Sequence, residues 1–264
     1  MAEPAPVLDA PGTGVTVLTA VEFDVLWERL ELGPTPVVLR LESPGRTHAE
    51  RREVQACGWR ALRERGLAGP SGPDPELTRL LHLLARPAEQ LELRGWWGRS
   101  VRAVAAGRPG AGVLALRQDD TVTLGPCASL PSGLLGELPG ARPGPGRATT
   151  VPTAVLVAAT GAPDVGLRAS LIARDVPATE AGLLTRMLAG TGRRAQIVAM
   201  AGDRWGVLRR SGGVLGVLDA PRGRYLLTRT IGEDGAEWTT VAPTDDRSLR
   251  HRVAELLAGA AAAV

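Results

Sequence analysis

Apolar residues recur along this chain with two alternating periods, and each change of period marks a change of element. Phe23, Leu26, Trp27 and Leu30 fall at i, i+3, i+4 and i+7, the inward stripe of a short amphipathic helix that stops at Gly33-Pro34. Thr19-Ala20-Val21-Glu22 opens it as a capping box, in which hydroxyl and carboxylate each satisfy a free amide of the helix start. Val37 to Leu41 reads as a short strand closed by Ser43-Pro44-Gly45. A second capping box, Thr47-His48-Ala49-Glu50, begins a helix to about Arg65 whose apolar side (Val54, Cys57, Ala61, Leu62) is thin. Asp74 caps a third helix, with Pro75 at its first position, a buried stripe of Leu77, Leu80, Leu81 and Leu84, and its end at Pro87. The pattern then turns to strands. Gln90 to Arg94 leads through Trp96-Trp97 into a meander of Ser100 to Ala106, a Gly/Pro turn at Gly107 to Gly112, Val113 to Arg117, Asp119-Asp120 and Thr121 to Leu124.

The same order repeats in the second half. Short helices are expected over Pro152 to Ala159 and Val165 to Arg174, and a third has Pro177 in its first turn with Leu183, Leu184, Met187 and Leu188 inward. Ala195 to Met200 is a strand that enters the most regular β pattern of the chain, Arg204 to Arg229. There, Val/Leu-rich segments are separated by hairpin chemistry at Gly202-Asp203, Gly212-Gly213 and Pro221-Arg222-Gly223. Asp234-Gly235 is a further hairpin turn and Trp238 to Val241 the last strand. Thr244 caps a final helix carrying Leu249, Val253, Leu256 and Leu257, with Asp245 and Asp246 at its positive end.

Helices then meander, twice over, is an α+β order and not the strict strand-helix alternation of a doubly wound sheet. The expected organisation is a disordered Pro/Gly/Ala-rich lead at residues 1–14, an N-terminal half at 15–137, a Pro/Gly linker at 138–147 and a C-terminal half at 148–264. The strands of both halves are expected to share one antiparallel sheet with helices to the sides.

Composition narrows the function classes. Hydrophobic residues are 44% of 264, ample for a real core. The net charge of +3 and pI of 9.6 suggest nucleic acid until the letters are read. Lys and Asn are absent and every basic residue is Arg, as GC-rich coding would produce, so the charge is weak support for a phosphate-binding surface. Without Lys, a P-loop lysine, a Schiff base and a Ser-Lys dyad are excluded. Cys57 and Cys127 stand far apart with no CxxC neighbour and read as two semi-buried thiols in a reducing compartment. The first residues have neither a basic n-region nor an apolar h-region, and no run approaches a membrane span, so the expected location is the cytoplasm, with no membrane partner.

No catalytic, cofactor or metal motif accompanies these elements. Gly190-Thr191-Gly192-Arg193-Arg194-Ala195 matches GxGxxA but lies between a helix and a strand, the reverse of the dinucleotide order, and reads as a helix C-cap. His48, His82 and His251 sit on three separate predicted helices without ligand spacing. Asp119-Asp120 and Glu233-Asp234 are turn residues, and Asp245-Asp246 begins a helix. A small hydrolase built from these acidic doublets, and an Arg-mediated nucleic-acid binder using doublets such as Arg209-Arg210, are the competing readings.

Several stretches, in order, carry a family likeness: LTAVEFDVLWERLELGPTPVVLRLESPGRTHAERR, GPDPELTRLLHLLARPAEQLELRG, VLDAPRGRYLLTR and EWTTVAPTDDRSLRHRVAELLAG. Together they resemble the EspG-type chaperones of type VII (ESX) secretion in actinobacteria. The resemblance implies a cytosolic, non-enzymatic protein with two pseudo-two-fold-related halves, a central antiparallel sheet and flanking helical bundles. It implies binding to the helical tip of a PE/PPE-type or other helical-hairpin ESX substrate, which is kept soluble and delivered for export. No cofactor, metal or nucleic acid is implied, and the expected state is a monomer or weak homodimer. In the family the partner contacts the sheet, the loop within the first meander, here the short Gly107 to Gly112, and the C-terminal helical region. By position, the expected partner-binding residues are Val104, Arg108, Leu114 and Leu116 in the first meander and Trp205, Val207 and Arg209 in the second. A one-residue change of register would present Gly206, Leu208 and Arg210 in place of the last three.

Overall fold

Runs that are apolar at nearly every position form strands covered on both faces, whereas alternating runs leave one face open. Both kinds meet at the centre of this protein. The computed structural model describes residues 14–161 and 166–264. In the first meander, β5 (Ser100–Arg108) is buried along most of its length, and β4 (Glu89–Trp96), β6 (Ala111–Gln118) and β7 (Thr121–Pro126) along half of theirs. In the second, β9 (Arg193–Gly202) alternates, with Ala195, Ile197, Ala199 and Ala201 buried and the residues between them not. It continues through β10 (Leu208–Arg210), β11 (Leu215–Ala220), β12 (Gly223–Ile231) and β13 (Glu237–Pro243).

One antiparallel sheet holds all of these. Two short strands close its edges: β1 (Thr16–Thr19) pairs with β7, and β8 (Thr149–Pro152) with β13. The order is β1-β7-β6-β5-β4-β9-β11-β12-β13-β8, with β10 also on β9, so the second half repeats the first in mirror order. The halves are stitched by β4 and β9, from Glu89 opposite Ala201 to Trp96 opposite Arg194. A small hairpin, β2 (Ala68–Gly69) and β3 (Gly72–Pro73), stands apart. The α+β class and the shared, doubled sheet expected from the pattern are what the chain adopts.

Three clusters surround the sheet. On one face, α1 (Ala20–Arg29), α2 (His48–Glu64) and α3 (Pro75–Ala85) form a core with Val104, Ala106, Val113, Ala115, Val122 and Leu124. On the far end of the same face, α5 (Thr153–Thr160), α6 (Leu167–Ile172) and α7 (Ala178–Leu188) pack over Val151, Tyr225 and Val241. The opposite face is covered at its centre by α4 (Leu130–Gly136) and α8 (Asp246–Ala262) over Leu91, Leu93, Ile197, Val217 and Leu226.

The expected N-caps form on the first three helices. Both capping boxes form, Thr19 with Glu22 and Thr47 with Glu50, and Asp74 accepts from the Leu77 amide at 2.8 Å. Burial pushes the Glu22 carboxyl up, but the Thr19 amide and the Arg65 guanidinium outweigh it and hold the group below the usual range. Gly190, with φ of 67°, follows the end of α7, as a C-terminal glycine does.

Other expectations are corrected. Val37–Leu39 is a 3₁₀ turn and not a strand, because it lies on the β4–β6 face of the sheet, buries Val38 and Leu39 in the first core and has no ladder partner. Gly212-Gly213 is not a hairpin turn. Arg210 faces Met200 and Leu215 faces Ile197, so Ser211, Gly212, Gly213 and Val214 bulge opposite Val198 and Ala199, and β10 and β11 follow the same edge of β9. The cap of α8 is Asp245, whose carboxylate accepts from the Ser248 amide at 2.7 Å. Cys57 is exposed where a semi-buried position was expected. Of the 1–14 lead only Gly14 lies within the described residues, and the expected start of a helix at Val165 lies outside them.

The Pro/Gly stretch 138–147 forms a strap laid on β12. The Arg224 amide donates to Arg142 O, the Gly144 amide to Arg224 O, and the Tyr225 hydroxyl to Pro145 O. Gly144 is required there, since a Cβ would lie 2.1 Å from Cζ of the Tyr225 ring. Arg224, 1% exposed, grips Asp219 through Nε (2.7 Å) and Nη2 (3.0 Å), Asp246 through Nη1 (3.1 Å) and Pro139 O through Nη2 (2.5 Å). It thereby ties the strap, β11 and the start of α8 together.

Candidate partner-binding surface

Between the two helical bundles lies a strip of the sheet that no helix covers, with the 3₁₀ turn at Val37–Leu39 packed on its β4–β6 part. It begins where β9 alternates: Arg194 and Gln196 are exposed, Val198 and Met200 half-buried, all on the face opposite α4 and α8. Cross-strand register extends the strip over β4, where Met200 faces Gln90, Val198 faces Glu92, Gln196 faces Arg94 and Arg194 faces Trp96. It then reaches β5 and β6, because Arg94 faces Arg102 and Arg102 faces Arg117. Arg94 and Trp96 are exposed, and Arg102 and Arg117 half-buried.

The strip is polar and unevenly satisfied. Gln90, 2% exposed, donates from Nε2 to Glu92 Oε1 at 2.9 Å, and its own Oε1 has no hydrogen-bond partner among the described residues. Glu92 is 8% exposed. Burial pushes its carboxyl up, against the opposing pull of Arg94, the Gln90 amide and Arg210. These residues are not among the expected contacts. The signal that finds them is the alternation in β4, Gln90-Leu91-Glu92-Leu93-Arg94, which sets polar residues on the face of the strip and Leu on the other.

The expected contacts divide by location. Val104 is fully buried beneath the first bundle, Leu116 is buried on the opposite face, and half-buried Leu114 packs into that same opposite core. None of the three presents a free side chain. Arg108, Trp205, Val207 and Arg209 lie towards the same end of the sheet, where the Ala88 amide donates to Gly107 O and the Gly202 amide donates to Ala88 O. But Arg209 stands opposite buried Ala201, on the face of α4 and α8, and Arg210 opposite Met200, on the face of the strip. Arg108 is exposed and donates to Arg86 O. Trp205, 76% exposed, stands on the β9–β10 hairpin beside half-exposed Val207, with the Arg204 guanidinium 5.0 Å from its ring centroid. Asp203 builds this hairpin. Its Oδ1 accepts from the Trp205 and Val207 amides at 2.9 and 3.0 Å, and Oδ2 meets Arg209 at 3.1 Å. These bonds, the Val207 amide foremost, hold the Asp203 carboxyl below its ordinary range. Of the alternative register set, Gly206 is exposed in the hairpin and Arg210 exposed on β10, while Leu208 is half-buried.

The histidines do not converge. His48 starts α2, His82 lies near the end of α3, and His251 is on α8 beside Glu255. Among the described residues no group of three His, Cys, Asp or Glu could hold a metal ion, and no helix is long and apolar enough to cross a membrane.

A double meander sharing one sheet, flanked by bundles and carrying an open central strip, has relatives. The EspG family model matches residues 19–255. The chain belongs to the EspG family. Its fold is that of the EspG5 chaperone of the Mycobacterium tuberculosis type VII secretion system, solved in complex with a PE25-PPE41 dimer. The two superpose with a TM-score of 0.71 at 18% identity, over 93% of this chain and 96% of that one. A comparison with curated proteins gives no match.

Proposed function

We propose that this EspG-family member is a non-enzymatic chaperone of a type VII secretion system. It binds the helical tip of a PE/PPE-type substrate in the cytoplasm, keeps it soluble and delivers it for export. The observation that carries this reading is the family match over residues 19–255, joined to the fold shared with a chaperone captured on a PE-PPE dimer. The geometry supports it. An exposed apolar helix tip invites aggregation, and a sheet strip between two bundles, with an apolar hairpin at one end, offers a surface to cover it. In this reading the two halves act as one domain, with the strap at 138–147 fixing the second half to the sheet. Arg108, Trp205, Val207 and Arg209 touch the client, while Val104, Leu114 and Leu116 support the strands from within.

The test is co-expression with PE/PPE-type pairs encoded beside this protein's gene, followed by affinity capture and size-exclusion chromatography. A co-eluting complex, together with client that stays soluble only when this chain is present, is expected. Failure of every such pair to co-elute would overturn the reading.

A further inference from the structure

Three arginines stand in one cross-strand row on the open strip: Arg117 of β6 faces Arg102 of β5, which faces Arg94 of β4. Like charges placed directly opposite one another in a sheet are destabilising. Among the described residues none of the three meets a carboxylate within ion-pair distance. Arg117 donates only to the carbonyls of Arg40 and Asp119. Elsewhere the protein pairs its cations readily: Arg51 with Asp24 and Glu28, Arg65 with Glu22, Arg224 with Asp219 and Asp246. The neighbouring row adds exposed Arg194 opposite Trp96. Glu92, one row inward, is the carboxylate that acts on Arg94, and it is almost wholly buried.

We infer that the Arg94–Arg102–Arg117 row, with Arg194 and Trp96 beside it, receives an acidic patch on the helical tip of the client protein. The inference rests on the chaperone reading and adds the chemistry of the partner. Neighbouring strands lie about 4.8 Å apart, so the row presents three guanidinium groups over roughly 10 Å. Two acidic side chains one turn apart on a helix, about 5–6 Å between their Cβ atoms, fit that span and can each take a bidentate pair. Trp96, Val198 and Leu218 give apolar surface on the same face for the rest of the helix. A single-stranded nucleic acid fits less well. It calls for successive exposed aromatic platforms, and Trp96 is the one exposed aromatic in these rows.

The test is the doubly substituted chain Arg94→Gln/Arg102→Gln, measured in three ways. Free, it should unfold at a higher urea concentration than the parent, since removing opposed charges relieves repulsion. A captured PE/PPE-type client should bind it about tenfold more weakly, and the parent's affinity should fall as salt rises from about 0.05 to 0.3 M while the variant's changes less. A fluorescein-labelled helical peptide bearing Glu at i and i+4 should bind the parent and lose at least this factor when both Glu become Gln. Client binding by the variant equal to the parent's, equal binding of the Glu and Gln peptides, or tighter binding of a single-stranded DNA oligonucleotide than of the Glu peptide would overturn the inference. The first two leave the chaperone reading intact. Binding of the Glu peptide with no client captured would instead count against that reading.

Discussion

Arg224→Ala is the substitution whose cost follows most directly from the packing. It removes a guanidinium that is 1% exposed, leaves the Asp219 carboxylate, 14% exposed, without its two-pronged partner, and frees Pro139 O from its donor. Removing one member of a buried pair typically costs 3–5 kcal/mol, mostly as the penalty of the charge left behind. For a chain of this size, with a urea m-value of about 3 kcal/mol per molar, about 4 kcal/mol moves the midpoint down by about 1.3 M. The assay is equilibrium urea unfolding followed by far-UV circular dichroism and Trp fluorescence. Two further variants separate charge from packing. Arg224→Lys keeps the charge but not the fork and should fall between parent and Ala. Arg224→Met/Asp219→Asn, which removes both charges, should recover much of what Arg224→Met alone loses. A midpoint shift below about 0.3 M for Arg224→Ala, or a double variant no more stable than Arg224→Met, would refute the reasoning.

Three other outcomes follow from the same contacts. Thr19→Ala removes the acceptor of the capping box and should cost about 1 kcal/mol by the same unfolding assay, and no loss would contradict the assigned cap. Because burial raises the folded-state pKa of Glu92, the folded chain holds its proton more tightly than the unfolded one, so the group's contribution is most favourable below its ordinary value of 4.5 and is lost as pH rises above it. Glu92→Gln should therefore stabilise the protein near neutral pH, with a gain that shrinks towards pH 4.5, and a pH-independent difference would contradict this. Asp203→Ala should speed amide exchange at Trp205 and Val207 and loosen the hairpin while leaving the sheet's protection unchanged, and unchanged exchange there would refute the Asp203 cap.

How far the sequence led depended on the range of each interaction. The caps at Thr19, Thr47 and Asp74 are decided within four residues and were legible. So was the doubled meander, because its turns sit at Gly and Asp positions along the chain. The 3₁₀ turn at Val37–Leu39 was not, since a short apolar run reads alike as strand or buried turn. α4, the counterpart of α8 in the doubled order, is disguised by Pro131 and Gly133, and β1 and β8 are four-residue edges defined by their partners. The surface suffered most. Val104 and Leu116 lie in strands covered on both faces, so position in the meander could not distinguish contact from core. Arg94, Arg102 and Arg117 are neighbours only through register, and a chain whose every basic residue is Arg gives no local hint that three of them align.

A secretion client held on the open sheet strip and adjoining hairpin of this EspG-family chain would shield the backbone amides there from solvent. Hydrogen exchange of the captured client complex against the free chain tests it most directly. New protection is expected in β4 and β9 and in residues 203–207, with α2 unchanged. Protection confined to α2, or no difference anywhere, would contradict it.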